Sequence, residues 1–403
     1  MSQSHSSDNR TTEGRGLPRP LAVRGDIDPF IVMDVLRTAN EMQVRGEDVV
    51  HMEVGQPGTP APRLVIEAAH AALDASSLGY TDALGLPELR AKIAAYYRAR
   101  YAVEVPAERV VVTAGSSAAF VLAFLALLET GARVAIPTPG YPCYRHILSA
   151  LGVEAVSLET SSEGRWSPTP ELLTAENARK QLDALLLASP ANPTGTMLVG
   201  DALQRIVEAC EALNIWFISD EIYHGLDYTE ASKTALAYSD RAIVINSFSK
   251  YFSMTGWRIG WMVVPQQLVR PIERLAQNLY ICAPAISQHA ALAAFDATEE
   301  LEANKAVYRA NRDLLLEELP KAGFREILPA DGAFYLYADV RHMTNDSAVL
   351  ARQVLEQTGV AATPGTDFDT GRGAHYLRFC YAGTTQRMEE AALRLVTWSK
   401  TKR

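Results

Sequence analysis

The sequence predicts an α/β fold, in which a large domain on a mostly parallel sheet is sandwiched by helices and a smaller α+β domain lies beside it. Three observations carry that expectation. The chain has 403 residues, more than one compact core usually organises. From about Arg109 onward, short β-branched runs alternate with helical patterns, as in parallel βαβ units with helices on both sheet faces. From about Ala285 the pattern changes to a long charged helical stretch followed by further strand-like runs.

The first twenty residues are polar, without the apolar segment that a secretory signal needs, and read as a flexible tail. Phe30–Arg45 carries apolar residues at helical spacing and precedes the strand-like Val49–Val54, so this early pair is expected to pack against the C-terminal part. The strand-like runs of the large domain are Val110–Thr113, Arg133–Ile136, Ala184–Ala188, Trp216–Ser219 and Ala242–Ser247. A loop rich in Gly, Pro, Ser or Asn follows each of them. The apolar stretch Ala118–Leu128 falls well short of the roughly 20 residues that span a bilayer and reads as a core helix. Further on, Glu299–Leu319 reads as a helix, Phe334–Val340 and Tyr376–Phe379 as strands, and Ser347–Thr358 as a helix between them. The expected division is a flexible tail over 1–27, an N-terminal part of the small domain over 28–50, a large domain over 51–289 and the C-terminal small domain over 290–403.

Hydrophobic residues make up 48% and charged residues 21% of the chain, which excludes disordered and collagen-like classes. The net charge of −9, with no long basic run, argues against nucleic acid as a partner. Cys143, Cys210, Cys282 and Cys380 are widely separated and form no CxxC pair, so reduced, mostly buried thiols are expected rather than a zinc cluster or a disulfide framework. A cytoplasmic protein with no membrane segment and no bound metal follows.

In open α/β sheets, ligands bind beyond the carboxyl ends of the strands, so the chemistry is expected in the loops there. The segment from Ser247 to Gly260 follows a strand and contains Lys250 and Arg258. Taken alone, Lys250 is a surface lysine. In a partly buried site near another cation its pKa falls, and the neutral amine becomes a nucleophile able to form a Schiff base. Thr113-Ala-Gly-Ser-Ser117 opens the expected core helix, so N–H groups around Ser116 and Ser117 can meet an anion, although small residues also cap helices routinely. Ser247 and Arg258 offer a hydroxyl and a guanidinium fork to the same anion.

Asp220 lies immediately after the apolar strand Ile215–Ser219, where its carboxylate either meets a protonated ring nitrogen or caps the turn Glu221-Ile-Tyr223. Tyr223 and Asn192 are placed to donate to a ring oxygen, and Tyr141 offers an aromatic face for stacking. Asn192 is equally at home in an ordinary Asn-Pro turn. Arg378 sits in the apolar strand Tyr376-Leu-Arg-Phe-Cys380, a costly place for a permanent charge without a carboxylate partner. That partner is either an internal acid or the carboxylate of a substrate. Together these groups are the set that a pyridoxal 5′-phosphate site requires.

The chain resembles the class I/II aminotransferases, fold-type I pyridoxal phosphate-dependent enzymes. The matching segments, in the family's order, are Val54-Gly-Gln-Pro57, Gly79-Tyr-Thr81, Gly85-Leu-Pro-Glu-Leu-Arg90, Ala114-Gly-Ser-Ser117, Ser189-Pro-Ala-Asn-Pro-Thr-Gly195, Asp220-Glu-Ile-Tyr223, Ser247-Phe-Ser-Lys250, Gly256-Trp-Arg258, Gly332-Ala-Phe-Tyr335 and Leu377-Arg-Phe379. The resemblance implies an aspartate-aminotransferase-like architecture with a seven-stranded type of sheet. It implies that Lys250 carries the cofactor and moves the proton between the substrate Cα and the cofactor C4′, while Asp220 holds the pyridinium. Tyr223 and Asn192 look like the ring-oxygen partners and Tyr141 like the stacking ring. Ser116, Ser117, Ser247 and Arg258 look like the phosphate cup, and Arg378, Gly55 and Asn192 like the substrate-binding contacts.

Tyr80 resembles a tyrosine that reaches the phosphate of a neighbouring subunit, which implies a homodimer. The activity so implied is ping-pong transfer of an amino group from an L-amino acid to a 2-oxo acid. Ser117 departs from one aspartate-using branch, which has a lysine there, so the donor stays open between neutral, aromatic and acidic amino acids. A lyase or decarboxylase on the same fold is the alternative. A non-enzymatic sensor ranks below both, because such regulators carry a DNA-binding domain ahead of this segment.

Overall fold

The computed structural model describes residues 22–75 and 78–401, so most of the expected N-terminal tail lies outside the described residues. The strands among the described residues are β1 (Val50–His51), β2 (Val110–Thr113), β3 (Arg133–Thr138), β4 (Glu154–Glu159), β5 (Ala184–Ala188), β6 (Trp216–Asp220), β7 (Ile243–Ser247), β8 (Gly260–Val263), β9 (Tyr335–Asp339), β10 (Val360–Ala361), β11 (Thr363–Pro364) and β12 (Tyr376–Cys380).

Seven of them form one sheet in the order β2-β8-β7-β6-β5-β3-β4. From β7 to β4 all pairings are parallel, whereas β8 runs antiparallel to both of its neighbours. The inner strands are buried on both faces. Val111, Ile218 and Ile245 enter one core cluster while Val112, Leu185 and Val244 enter another. Burial on both faces explains why these strands read as continuous apolar runs. The helix Gly115–Leu127 packs between the sheet and the helix Gln266–Leu279, which accounts for an apolar character on nearly every side. Among the described residues, no helix is long and apolar enough to cross a membrane.

Beside this layer, β11, β12 and β9 form an antiparallel sheet, with the helices Thr298–Glu318, Ser347–Thr358 and Thr385–Thr401 in the same part of the chain. The N-terminal helix Ile31–Val44 joins them. Its Ala39 and Met42 share a small core with Val49, Leu355 and Ala361, and β1 pairs in parallel with β10 through Val50 and Val360. The helix Ser347–Thr358 is capped at both ends. Asp346 accepts the N–H groups of Ala348 and Val349 at 2.9 and 3.2 Å, and Gly359 follows with a left-handed φ of 68°.

Four strands lie outside the sequence expectation: the two-residue β10 and β11, and β4 and β8 of the large sheet. β4 is an edge strand that buries Val156 and Leu158 and exposes glutamates at both ends, so its apolar signal is weak. β8 is four residues long and follows directly on the Lys250–Arg258 loop, so its apolar run merges with that loop's own pattern.

Candidate active site

The carboxyl ends of β2, β5 and β6 lead into Ser116, Asn192 and Tyr223, and a cavity of about 450 Å³ opens there. That volume suits a cofactor together with a small substrate. Ser116, Ser117, Tyr141, Asn192, Asp220, Tyr223, Lys250 and Arg258 line it from the large-sheet side, and Gly55 and Arg378 from the other. Of the residues selected from sequence, Ser247 and Tyr80 alone do not line it.

Lys250 follows β7 and donates from Nζ to the Gly55 carbonyl oxygen. Burial pushes its ammonium down to about 8, with Arg378 and Arg258 acting in the same direction and Cys380 and Asp220 against it. The main cause is therefore desolvation, with the neighbouring cations secondary. Gly55 has no room for a side chain, because a Cβ there would sit 1.9 Å from Tyr335 Oη.

Asp220 is buried at the end of β6, and burial raises its carboxyl to about 6. Each of its oxygens has a protein donor. The Ile222 N–H reaches Oδ1 at 3.0 Å, and the Tyr144 hydroxyl donates to Oδ2. One oxygen of Asp220 thus caps the following turn, as one of its two sequence readings had it, while the side chain also lines the cavity. Sequence reasoning missed Tyr144. Its signal is the Tyr-x-x-Tyr spacing at the start of the helix Pro142–Ala150, which sets the rings of Tyr141 and Tyr144 edge to face at 5.2 Å.

Tyr223 meets a second overlooked tyrosine, Tyr335, with their hydroxyl oxygens 2.7 Å apart. The Tyr335 ring in turn lies 4.5 Å from the Arg378 guanidinium, which Phe368 flanks at 4.7 Å. Arg378 is 2% exposed. It donates from Nη1 to Asn192 Oδ1 at 2.9 Å and from Nη2 to Thr363 Oγ1 at 3.2 Å and to the Glu53 carbonyl oxygen. Its Nε has no partner, and among the described residues it forms no ion pair. Asp367 acts on Arg378 only at longer range, and a buried guanidinium that faces a cavity without a directly bonded carboxylate is costly unless an anion joins it.

At the other end of the cavity, the helix Gly115–Leu127 begins without a side-chain cap, so its leading N–H groups face the space beside Ser116 and Ser117. Arg258 lies close against it. A Cβ on Gly115, whose φ is +78°, would sit 2.6 Å from Arg258 Nη2, so the approach of the guanidinium requires glycine. The serine that reaches the cavity from β7 is Ser249 rather than Ser247. Ser247 is buried behind it, with its Oγ 2.8 Å from Ser249 Oγ and accepting the Ser249 N–H at 3.1 Å. Tyr80 is 83% exposed and stands away from the cavity of its own chain.

The family described as aminotransferase class I and II matches residues 47–395. A valine–pyruvate aminotransferase of Mycobacterium tuberculosis is 47% identical over 94% of this chain and 98% of its own length. A crystal structure of an aminotransferase from Mycobacterium tuberculosis superposes with a TM-score of 0.93 at 46% identity, covering 95% of this chain and all of that one. The Thermus thermophilus aspartate aminotransferase crystallised with maleate gives a TM-score of 0.89 at 30% identity, covering 94% of this chain and 99% of that one.

Proposed function

The chain belongs to the class I and II aminotransferases, and on that footing we propose the residue roles and substrate preference by which it works. It is a pyridoxal 5′-phosphate-dependent transaminase with an aspartate-aminotransferase-like fold that moves an α-amino group from an amino acid to a 2-oxo acid. When bound, the cofactor supplies an aldehyde for amine exchange and an electron sink for the Cα–H bond. The residues present fit it: an uncapped helix N-terminus with Arg258 suits a phosphate, a buried carboxylate suits a ring nitrogen, and a buried amine of lowered pKa suits the aldehyde.

In this reading Lys250 is the residue that would hold the cofactor through its aldehyde, and its Nζ would take the substrate Cα proton as general base and later give it up as general acid. Asp220 holds the ring nitrogen, Tyr223 and Asn192 stand by the ring oxygen, and Tyr141 packs on the ring. Ser116, Ser117, Ser249 and Arg258 receive the phosphate, with Ser247 supporting Ser249 from behind. Arg378 takes the substrate carboxylate beside Gly55. The exposure of Tyr80 supports a homodimer in which it serves the neighbouring site. The reading includes the domain division at residues 28–50, 51–289 and 290–403, and a cytoplasmic setting, in keeping with four unpaired thiols.

The donor we propose is a neutral amino acid with a compact apolar side chain. Phe30, Val32, Met33, Leu36 and Val54 line the cavity, and Lys250, Arg258 and Arg378 are its only lining cations among the described residues. None of these is spare for a distal carboxylate. The valine–pyruvate aminotransferase at 47% identity points the same way.

The observation that carries the reading is a buried Arg378, with no directly bonded carboxylate among the described residues, in the same cavity as Lys250. The test is to mix cofactor-loaded protein with single amino acids and no oxo acid and to follow the visible absorbance. Valine or alanine is expected to convert one equivalent and stop. Continued turnover without an oxo acid, or a preference for aspartate, contradicts the reading.

A further inference from the structure

The first turn of the helix Ile31–Val44 walls the cavity through Val32 and Met33, with Phe30 just ahead of it. No local side chain caps that turn. Instead, the N–H groups of Ile31 and Val32 donate to Oδ1 and Oδ2 of Asp367, each at 3.2 Å, across sequence separations of 336 and 335 residues. Asp367 is fully buried. A carboxylate that accepts two leading N–H groups and faces the positive end of the helix fixes both its position and its direction.

The segment that supplies this cap also builds the anchor for the substrate carboxylate. Thr363 Oγ1, in β11, accepts from Arg378 Nη2, and Phe368, next to Asp367, lies against the Arg378 guanidinium. Phe30, immediately before the capped turn, packs edge to face on Tyr141 at 5.8 Å. A single short stretch thus holds the place where a substrate carboxylate sits and the apolar wall that its side chain meets. Asp367 itself makes no hydrogen bond to Lys250, Asp220 or Arg258 among the described residues.

We propose that Asp367 is a positioning residue for substrate selection: by pinning the first turn of the N-terminal helix, it sets the distance between the Arg378 anchor and the apolar wall, and so decides which side chains fit. The inference rests on the reading of Arg378 as carboxylate anchor and of the donor as apolar. A branched side chain that reaches the wall depends on that distance, whereas a methyl group scarcely touches it.

The test compares kcat/KM for L-valine and L-alanine in the wild type, Asp367→Ala and Asp367→Asn, with the visible absorbance and retention of bound cofactor measured in parallel. Asp367→Asn keeps the shape and one acceptor oxygen, so it serves if the alanine variant fails to fold. Asp367→Ala is expected to lower kcat/KM for valine roughly five- to tenfold, mainly through KM, and that for alanine less than about twofold, the size of effect a lost helix cap produces. Asp367→Asn is expected to fall in between, and both variants should keep the cofactor absorbance of the wild type. Equal losses for the two donors, no loss for either, or release of cofactor overturns this inference alone. A wild type inactive with both donors overturns the parent reading, and this inference with it.

Discussion

The Tyr144 hydroxyl donates a hydrogen bond to Asp220 Oδ2, so the carboxylate proposed for the cofactor ring nitrogen is held by a tyrosine that itself packs on Phe120 and Tyr141. Burial raises the Asp220 carboxyl to about 6, and the Tyr144 bond opposes that rise. Removing the donor in Tyr144→Phe shifts the carboxyl further upward and leaves less carboxylate at pH 7. Cofactor retention at pH 7 is expected to fall about tenfold, the scale of a lost hydrogen bond to a charged group, and to recover toward pH 9. Absorbance titration with pyridoxal phosphate at the two pH values measures it.

In its proposed role Lys250 would attack an aldehyde only as the neutral amine, and burial brings its pKa down to about 8. The rate at which cofactor-free protein captures pyridoxal phosphate is therefore expected to rise with pH up to about 8 and then level off. A solvent-exposed lysine would keep rising to about 10.4. Stopped-flow absorbance across that range distinguishes the two profiles.

Arg378 combines a planar fork with stacking between Tyr335 and Phe368, and lysine reproduces neither. Arg378→Lys is expected to raise KM for both the amino acid and the oxo acid on the order of 100-fold, with the bound-cofactor absorbance intact. Steady-state kinetics with each substrate varied in turn checks this. A change confined to one substrate would contradict a shared carboxylate anchor.

Glu221 is buried next to Asp220 and accepts from Ser219 Oγ, Thr234 Oγ1 and the Ala235 N–H at 3.2, 3.0 and 2.9 Å. Burial raises its carboxyl from 4.5 to about 8. A folded-state pKa above the unfolded one favours folding fully below pH 4.5, and that contribution is lost as pH rises through 8. Denaturant midpoints measured between these limits are expected to decline in the wild type. In Glu221→Gln that part of the decline should be absent.

The alternation of apolar runs and small-residue loops made the strand ends legible in the sequence, and with them Lys250, Asp220 and Asn192. Buried charge among apolar neighbours marked Arg378. What stayed hidden depends on distance across the fold. Asp367 caps a helix more than 300 residues away, and Tyr335 completes the pair with Tyr223 from another sheet. Ser247 and Ser249 look alike in sequence, and only the turn after β7 decides which hydroxyl reaches the cavity.

The central claim is that Lys250 is the residue that carries the cofactor. Reducing the cofactor-loaded protein with borohydride, digesting it and mapping the pyridoxyl label by mass spectrometry tests that claim most directly. A single labelled peptide containing Lys250 is expected; a label on any other lysine, or none, rules Lys250 out as the attachment site.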